Sequence, residues 1–213
     1  MTTSPFDLPL THIRDSLPAE LADQYLSPAD VDYEIVLGGK MAVIWHRPGW
    51  LYPVFWLLSK GDVLFPETGK GVPTILVVAP GRDSGGGPIQ TWERTFHFPG
   101  GVRRRYKSTM TYDKTSARVH EIQGPWGIFE EAAEVRFTPP GVLEFITVAS
   151  RLRLGRLRIP IPRLLWITAH VVQSVIPDKP GTSRVTLTIT HSLLGPIFGY
   201  DGLFRKAKRR RHG

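Results

Sequence analysis

One predicted strand of the sequence carries a charged residue among aromatic residues on the same face. In the stretch TWERTFHF, residues 91–98, every second residue from Trp92 onward is aromatic except Arg94. Side chains of a strand point alternately to its two faces, so the face with Trp92, Arg94, Phe96 and Phe98 is predicted to turn towards a core. A charge buried without a partner is costly, so Arg94 needs either a carboxylate partner or an anionic ligand.

Ionisable residues also occupy apolar faces of other predicted strands. Glu131 stands in IFEEAAEVRF, His170 in LWITAHVVQ and His191 in SRVTLTITHSLL, while Tyr106 and Ser108 share a face of the strand that follows the opening one. A Glu–His pair in a dry pocket is typical of proton transfer, so Glu131 and His191 are the candidate catalytic residues.

The other candidates would bind a ligand in the same interior. An arginine fork pairs well with a carboxylate, whether that carboxylate belongs to the protein or to a ligand. Two readings of Arg94 stay open: a structural pair with Glu121 or Glu131, or the anchor of a ligand. A core histidine held by hydrogen bonds is likewise the alternative for His191. The candidate ligand-binding residues are Trp92, Arg94, Phe96, Tyr106, Ser108, Glu121 and His170.

Several kinds of site are not expected. The chain has no cysteine, and its seven histidines form no HExxH or similar close ligand pair, so neither a thiolate nor a metal site is predicted. Phosphate-binding and nucleophile motifs such as GxxxxGK[ST], GxGxxG and GxSxG do not occur, and no cofactor is expected.

The elements that must position these residues are mostly short strands. A short helix is predicted at 17–27, and the apolar stretch 49–62 predicts a second helix, for which burial is the favoured outcome and an exposed apolar surface the alternative. Consecutive strands with short connections favour an antiparallel meander, and about eight such strands tend to curl and close. The predicted fold is α+β and mainly antiparallel β, a barrel-like sheet with one or two helices capping one end.

Charge and composition suggest one folded domain with an unstructured segment at each terminus. We predict a flexible segment at 1–16, a single barrel-like domain at 17–204 and a disordered basic tail at 205–213. The net charge is +8, and six positive charges with no acid fall within the tail. Such a tail could contact an anionic membrane weakly, whereas nucleic-acid binding is not expected because a stacking platform of paired aromatic residues is missing. The N-terminal sequence does not resemble a secretory signal and no apolar run is long enough to span a bilayer, which predicts a cytoplasmic location.

Taken in order, several motifs resemble one bacterial protein family. They are TWERTF, YKS, HEIQGPWG, LGRLRIPIPRLL and THSLLGPIFGYDGLF. The chain is similar to the domain-of-unknown-function 4166 family from about Leu17 to Phe204. The resemblance implies little about activity, since the family has no established one. Relatives can occur fused to a saccharopine-dehydrogenase-like reductase domain, which implies an accessory role in small-molecule or lipid metabolism.

Three functions remain open on these grounds. The first is a module that binds a hydrophobic or lipid-like molecule inside the barrel, with Arg94 as anchor. The second is a small cofactor-free enzyme, of isomerase, cyclase or dehydratase type, working by acid–base chemistry in the same pocket. The third is a scaffold held on an anionic membrane surface by the apolar helix together with the basic tail.

Overall fold

The computed structural model describes residues 3–124, 127–155 and 157–211. Within these ranges it contains two α-helices and eleven strands. The helices are α1 (Ala19–Tyr25) and α2 (Tyr52–Leu58). The strands are β1 (Tyr33–His46), β2 (Gly69–Arg82), β3 (Pro88–His97), β4 (Arg103–Asp113), β5 (Arg118–Gln123), β6 (Phe129–Thr138), β7 (Val142–Leu154), β8 (Leu157–Pro160), β9 (Ile167–Val175), β10 (Thr182–His191) and β11 (Gly195–Arg211).

Ten of these strands close into an antiparallel barrel. The order runs from β6 through β5, β4, β3, β2, β1, β11, β10 and β9 to β7, and β7 pairs with β6 to complete the ring. The short strand β8 pairs with the end of β7 and extends outside the ring. The predicted class, a closed antiparallel sheet with few helices, is confirmed, with more strands than the eight predicted. Closure leaves no exposed edge along the ten strands of the ring.

Strand β11 is the element that sequence patterns missed. It lies between β1 and β10 and so closes the gap between the first and last parts of the chain. Its glycines serve close packing: a Cβ on Gly199 would lie 2.6 Å from the Trp45 ring, and one on Gly202 would lie 2.7 Å from Met41 Cα. Glycine inside a strand often marks such a close approach.

The basic tail is ordered where the structure describes it. Strand β11 continues to Arg211, and its last residues pair with the start of β1, with Tyr33 opposite Arg211. The prediction of a disordered tail is therefore wrong over 205–211; residues 212–213 lie outside the described residues. Backbone pairing with β1 supplies the order that the composition of this segment does not suggest.

The barrel has two ends, which we name after the helices. The α1 end holds the N-terminal segment (residues 3–32, which include α1), the start of β1 and the end of β11. It also holds the hairpin turns at 83–87, 114–117, 139–141 and 176–181. The α2 end holds the opposite ends of the strands and the connections at 47–68, 98–102, 155–166 and 192–194.

The N-terminal segment closes the α1 end. Phe6 and Leu21 are fully buried, and the Tyr25 ring packs 5.2 Å from that of Trp92, measured between centroids. The Tyr25 hydroxyl donates a hydrogen bond of 2.6 Å to Gln173 Oε1 on β9. Of the segment predicted to be flexible, residues 4–10 are packed against the barrel, with Leu10 buried and the Ser4 hydroxyl donating a hydrogen bond to the Tyr25 carbonyl, whereas 11–16 are mostly exposed.

The segment 49–66 closes the α2 end with only one of its faces. Phe55 and Phe65 are each 1% exposed and both pack against Phe198 of β11. The outward side chains of α2 are in solvent, with Leu57 65% exposed. Burial of this segment as a whole, the outcome favoured by the sequence, is wrong. No helix within the described ranges is long and apolar enough to cross a membrane.

Candidate functional site

Arg94 lies inside the barrel, as the alternation of β3 predicts. Its side chain is inward on β3, flanked by β2 and β4, and the residue is 6% exposed. The guanidinium carbon lies 5.4 Å from the Trp92 ring centroid and 5.1 Å from that of Tyr106. Both separations allow a favourable cation–π interaction, which offsets part of the cost of burying the charge.

Arg94 has no acidic partner in contact with it. Among the described residues, no side chain or backbone group forms a hydrogen bond or an ion pair with its guanidinium, and its buried Nη1 is left without any partner. The predicted contact with Glu121 or Glu131 is therefore not formed. Burial opposes the charge, but Glu121 and the tyrosine hydroxyls nearby outweigh it and raise the pKa of Arg94, so this side chain stays a cation.

Arg94 faces a small cavity in the α1 half of the barrel. The cavity has a volume of about 40 Å³ and a wall that is mostly apolar. Its polar lining consists of Arg94, Glu121, Thr147, Gln173 and the tyrosines Tyr25, Tyr106 and Tyr200. Phe6 and Tyr25 close it on the side of the N-terminal segment.

The tyrosines around the cavity are neutral donors. Burial is the largest cause that raises the pKa of each of Tyr25, Tyr106 and Tyr200. The Tyr106 hydroxyl donates to Glu121 Oε1 over 3.2 Å. The hydroxyl of Tyr200 has no hydrogen-bond partner within the described residues, so Tyr200 and Arg94 are both available to an anion in the cavity.

Glu131 is buried but lines a different cavity. It stands opposite Glu121 across β5 and β6, is 7% exposed, and accepts a hydrogen bond of 3.1 Å from the Thr147 hydroxyl. Burial, reinforced by the charge of Glu121, raises the pKa of Glu131 to about 8. Its cavity, of about 60 Å³, lies towards the α2 end beside Ile167 and Ile189. Glu131 is a protonated carboxylic acid at neutral pH.

The structure does not place the two candidate catalytic residues in one cavity. His191 is half-buried at the last position of β10 and lines a surface groove beside α2 rather than the cavity of Glu131. Its Nδ1 accepts a hydrogen bond of 3.2 Å from the backbone N–H of Leu193, which fixes it in the turn after β10.

His170 faces outward, against the prediction. The inward residues of β9 are Ala169, Val171 and Gln173, all of which line the Arg94 cavity, so the sequence alternation was assigned one residue out of register. The His170 side chain is 50% exposed and lies 3.2 Å from Glu144 Oε2 on the outer wall.

The other predicted residues divide between the cavity wall and the adjacent core. Trp92, Tyr106 and Glu121 line the cavity with Arg94. Phe96 packs against Phe65 and Tyr200, at centroid distances of 4.9 and 5.8 Å. Ser108 is 1% exposed and its hydroxyl has no partner.

Sequence reasoning missed the residues that come from far along the chain. Phe6, Tyr25, Gln173 and Tyr200 line the cavity but stand on the N-terminal segment, β9 and β11. For Tyr25 the sequence pattern predicted only a position on the apolar face of the helix at 17–27, not a role in a cavity. Tyr200 stands in a glycine-rich stretch that did not predict a strand.

A second buried charged cluster lies on the outer side of the wall. His120 alternates with the inward residues Val119 and Glu121, and its Nδ1 is 2.7 Å from Glu130 Oε1. The other Glu130 oxygen is 3.4 Å from Arg158 Nε, on β8. The cluster ties β5 and β6 to the projecting β7–β8 hairpin. Within the described ranges, no three His, Asp or Glu side chains are grouped so as to hold a metal ion.

The family comparison agrees with the motifs. A family model described as "Domain of unknown function (DUF4166)" matches residues 17–204. The chain belongs to the DUF4166 family. The resemblance inferred from the motifs over Leu17–Phe204 is thereby confirmed. Comparison with curated proteins and with solved structures found no match.

Proposed function

We propose that this DUF4166 protein binds a small apolar molecule bearing a carboxylate inside its barrel, with Arg94 as the anchor. The observation that carries the proposal is a guanidinium that is 6% exposed, faces a cavity and has a buried Nη1 without a partner. An unpaired buried charge is strongly destabilising, and a bound anion would remove that penalty.

A carboxylate fits the chemistry of this cavity better than a neutral group does. Arginine presents donors in a planar fork that matches two carboxylate oxygens, and such charge-assisted hydrogen bonds are stronger than neutral ones. The Tyr200 hydroxyl supplies a further donor beside the cavity. Glu121, which accepts a hydrogen bond from Tyr106, also lines the cavity and favours ligands whose remaining part is uncharged.

The volume of the cavity limits the ligand. A water needs about 10–15 Å³ of such space, so a cavity of about 40 Å³ holds a carboxylate but no long chain. The apolar part of a larger ligand must take the place of Phe6 and Tyr25, which separate the cavity from the α1 end. A hydrophobic or lipid-like ligand therefore requires movement of the N-terminal segment.

Binding of simple carboxylates tests the proposal. Acetate, hexanoate and the uncharged analogue hexanol would be titrated by calorimetry into the protein and into Arg94→Met. We expect the carboxylates to bind wild type and to lose about ten- to hundredfold in affinity in the variant, the value of hydrogen bonds to a charged group. Hexanol should bind both proteins equally.

Two controls separate a binding residue from a structural one. Arg103→Met removes an exposed arginine from the same sheet and should change nothing. Since Arg94 has no hydrogen bond or ion pair to lose, and methionine keeps an apolar contact with the Trp92 and Tyr106 rings, Arg94→Met should melt no lower than wild type. A large loss of stability, or carboxylate binding unaffected by the substitution, would contradict the proposal.

Whether Phe6 limits the size of the ligand can be tested separately. Phe6→Leu creates space in the cavity wall, whereas Leu10→Ala weakens the same N-terminal segment at a residue outside the cavity. Phe6→Leu should bind hexanoate more tightly than wild type does, whereas Leu10→Ala should not. The affinity for acetate should be unchanged in both variants.

A second candidate, acid–base catalysis, rests on Glu131. A carboxyl group with a pKa of about 8 can give or take a proton near neutral pH. It lines another cavity than Arg94 does, so an enzyme would need a substrate that reaches past Thr147, which contacts Glu131 and lines the Arg94 cavity. Turnover that depends on Glu131 and follows this pKa would favour this candidate over simple binding.

A further inference from the structure

Exposed apolar residues are concentrated at the α2 end. Of the 16 large hydrophobic residues that are exposed in the described part of the chain, all but Leu8, Ile75 and Leu203 belong to this end. The members at this end are Trp50, Tyr52, Val54, Trp56, Leu57, Val102, Leu154, Leu157, Ile159, Leu164, Leu165, Leu193 and Leu194. Scattered exposed hydrophobic residues need no explanation, but a group of this size usually marks an interaction site.

The group includes three exposed aromatic residues, Trp50, Tyr52 and Trp56. Trp50 is 64% exposed and Trp56 is 47% exposed, on a segment whose inward residue, Phe55, already caps the barrel. Tryptophan and tyrosine combine an apolar ring with a polar atom and are enriched where an apolar phase meets water. The fold does not need these side chains outside, since Phe55 and Phe65 complete the core beneath them.

The same end is strongly basic. Its segments 47–70, 98–105, 129–131, 151–155, 157–166 and 191–197 contain ten lysines and arginines against four acids. Four of these cations pair with acids, namely Arg104, Arg105, Arg153 and Arg158. Three of these cations lie over tryptophan rings: Lys60 over Trp56 at 4.7 Å, Arg47 over Trp45 at 5.1 Å and Arg163 over Trp166 at 5.8 Å. None of the three forms an ion pair with an acid among the described residues.

We propose that the α2 end docks on the surface of an anionic lipid bilayer. Trp50, Trp56 and Leu57 would enter the boundary between headgroups and acyl chains, with Leu164 and Leu193 beside them, while Lys60 and Arg163 meet the headgroups. Apolar burial combined with attraction to anionic lipid is what holds interfacial segments on membranes.

Charge favours a bilayer over a second copy of the chain. A two-fold dimer through this end would bring the same basic surface against itself, and like charges repel. The apolar side chains also come from separate connections that project from one end of a barrel. A bilayer accepts such projections without a shaped partner surface.

The groove beside α2 fits the same occupant. It has a volume of about 360 Å³ and runs between α2 and the turn after β10, with His191 as its titratable member. Leu51, Val54, Phe55 and Leu194 are among its walls. An acyl chain is the component of a bilayer that such an apolar groove would hold.

The basic end of β11 is not part of this surface. It lies at the α1 end, where Asp23 binds Lys206 and Arg209 and where Glu34 and Asp32 pair with Arg210 and Arg211. The scaffold hypothesis joined the apolar helix and the basic run on one membrane, but the barrel holds them at opposite ends of β1. The membrane-facing charges are instead those around α2.

Vesicle binding of the full chain tests the proposal. Protein would be sedimented with vesicles of phosphatidylcholine alone and of phosphatidylcholine mixed with phosphatidylglycerol. We expect binding to the mixed vesicles, weakened by added salt because exposed charges are screened. Trp50→Ser with Leu57→Ser should lower the partition coefficient about tenfold or more, and Lys60→Gln with Arg163→Gln about fivefold for each charge removed.

Matched variants elsewhere on the surface serve as controls. Ile75→Ser with Leu203→Ser removes two exposed apolar residues from the barrel wall, and Arg205→Gln with Arg211→Gln removes two charges from the α1 end. Both pairs should bind mixed vesicles like wild type. All substituted positions are exposed, so the melting temperatures should stay unchanged.

The remaining outcomes would overturn the proposal. Absence of binding to mixed vesicles would do so, as would equal binding to both kinds of vesicle that salt does not weaken. A dimer by light scattering that Trp50→Ser with Leu57→Ser dissociates would show that the face pairs two copies instead. This test uses no interior ligand, so its failure leaves the function proposed for Arg94 intact.

Discussion

The two ends of the barrel are closed in opposite ways. At the α1 end, the helix turns its apolar residues inward, and Leu21 and Tyr25 are no more than 2% exposed. At the α2 end, Phe55 alone of the α2 side chains is buried, while its neighbours Trp56 and Leu57 are in solvent. Both helices have seven residues, but α1 (AELADQY) contains two acids and a glutamine whereas α2 (YPVFWLL) has no charged residue, so the more apolar helix is the one left mostly in solvent. The contrast shows that apolar content alone does not decide which helix belongs to the core and which forms a surface.

The charges of the two ends differ in the same way. At the α1 end, four cations of β11 are matched by acids: Asp23 holds both Lys206 and Arg209, and Glu34 and Asp32 pair with Arg210 and Arg211. At the α2 end, Lys60 and Arg163 lie over tryptophan rings and have no acidic partner among the residues that the structure describes. The α2 end has ion pairs of its own, such as Arg104 with Glu67, but the cations over these tryptophan rings are not among them.

The largest difference is expected from the same substitution made at each end. Leu21→Ala should lower the free energy of unfolding by about 2–5 kcal/mol, because it leaves a cavity beneath α1. Leu57→Ala should change it by less than about 0.5 kcal/mol, since this side chain is in solvent. Urea denaturation of both variants measures the comparison. Equal losses would mean that α2 supports the core as α1 does.

Glu131 should make stability depend on pH. Its pKa is about 8 in the folded protein against an ordinary value of 4.5, so the folded state holds a proton that the unfolded chain releases between those values. Stability should therefore fall as the pH rises from about 4.5 to about 8. Glu131→Gln removes the ionisation and should be more stable than wild type by up to about 5 kcal/mol above pH 8.

Denaturation at acidic and alkaline pH measures this effect. Below about pH 3.5 the two proteins should differ little, since Glu131 is then protonated in both the folded and the unfolded state. Glu93→Gln, on the outer wall of β3, is the matched control and should follow wild type across the range. If the free energy of unfolding of Glu131→Gln depended on pH as that of wild type does, the carboxyl group would have to ionise freely inside the barrel.

The smallest effect is expected at the ion pairs of the α1 end. Asp23→Asn removes the acid that binds Lys206 and Arg209, and exposed pairs contribute about 0–1 kcal/mol. Amide hydrogen exchange over 205–211 should become faster because the end of β11 loses this support. Asp30→Asn breaks the exposed pair with Arg82 and should leave that exchange unchanged. Equal exchange in both variants would mean that backbone pairing with β1 alone orders the segment.

Strand alternation predicted part of the candidate site. On β3 and β4 every second residue is buried, so Trp92, Arg94 and Tyr106 could be placed inside from the pattern alone. On β9 the pattern is ambiguous, because apolar residues stand on both faces at Ala169 and Val172, and a shift by one residue turned His170 outward. The period of two makes every such shift reverse the faces.

The sequence by itself determined the class of fold, because the spacing of turns and alternating strands is local information. It also determined that Arg94 is inside, since its neighbours on one face are large and aromatic. Only the tertiary structure decided whether that arginine is paired, because Glu121 and Glu131 stand on strands whose register the sequence does not specify. Closure by β11 decided the rest: it ordered the basic run at one end and, by completing the core under Phe55, left the apolar residues of α2 facing outward at the other.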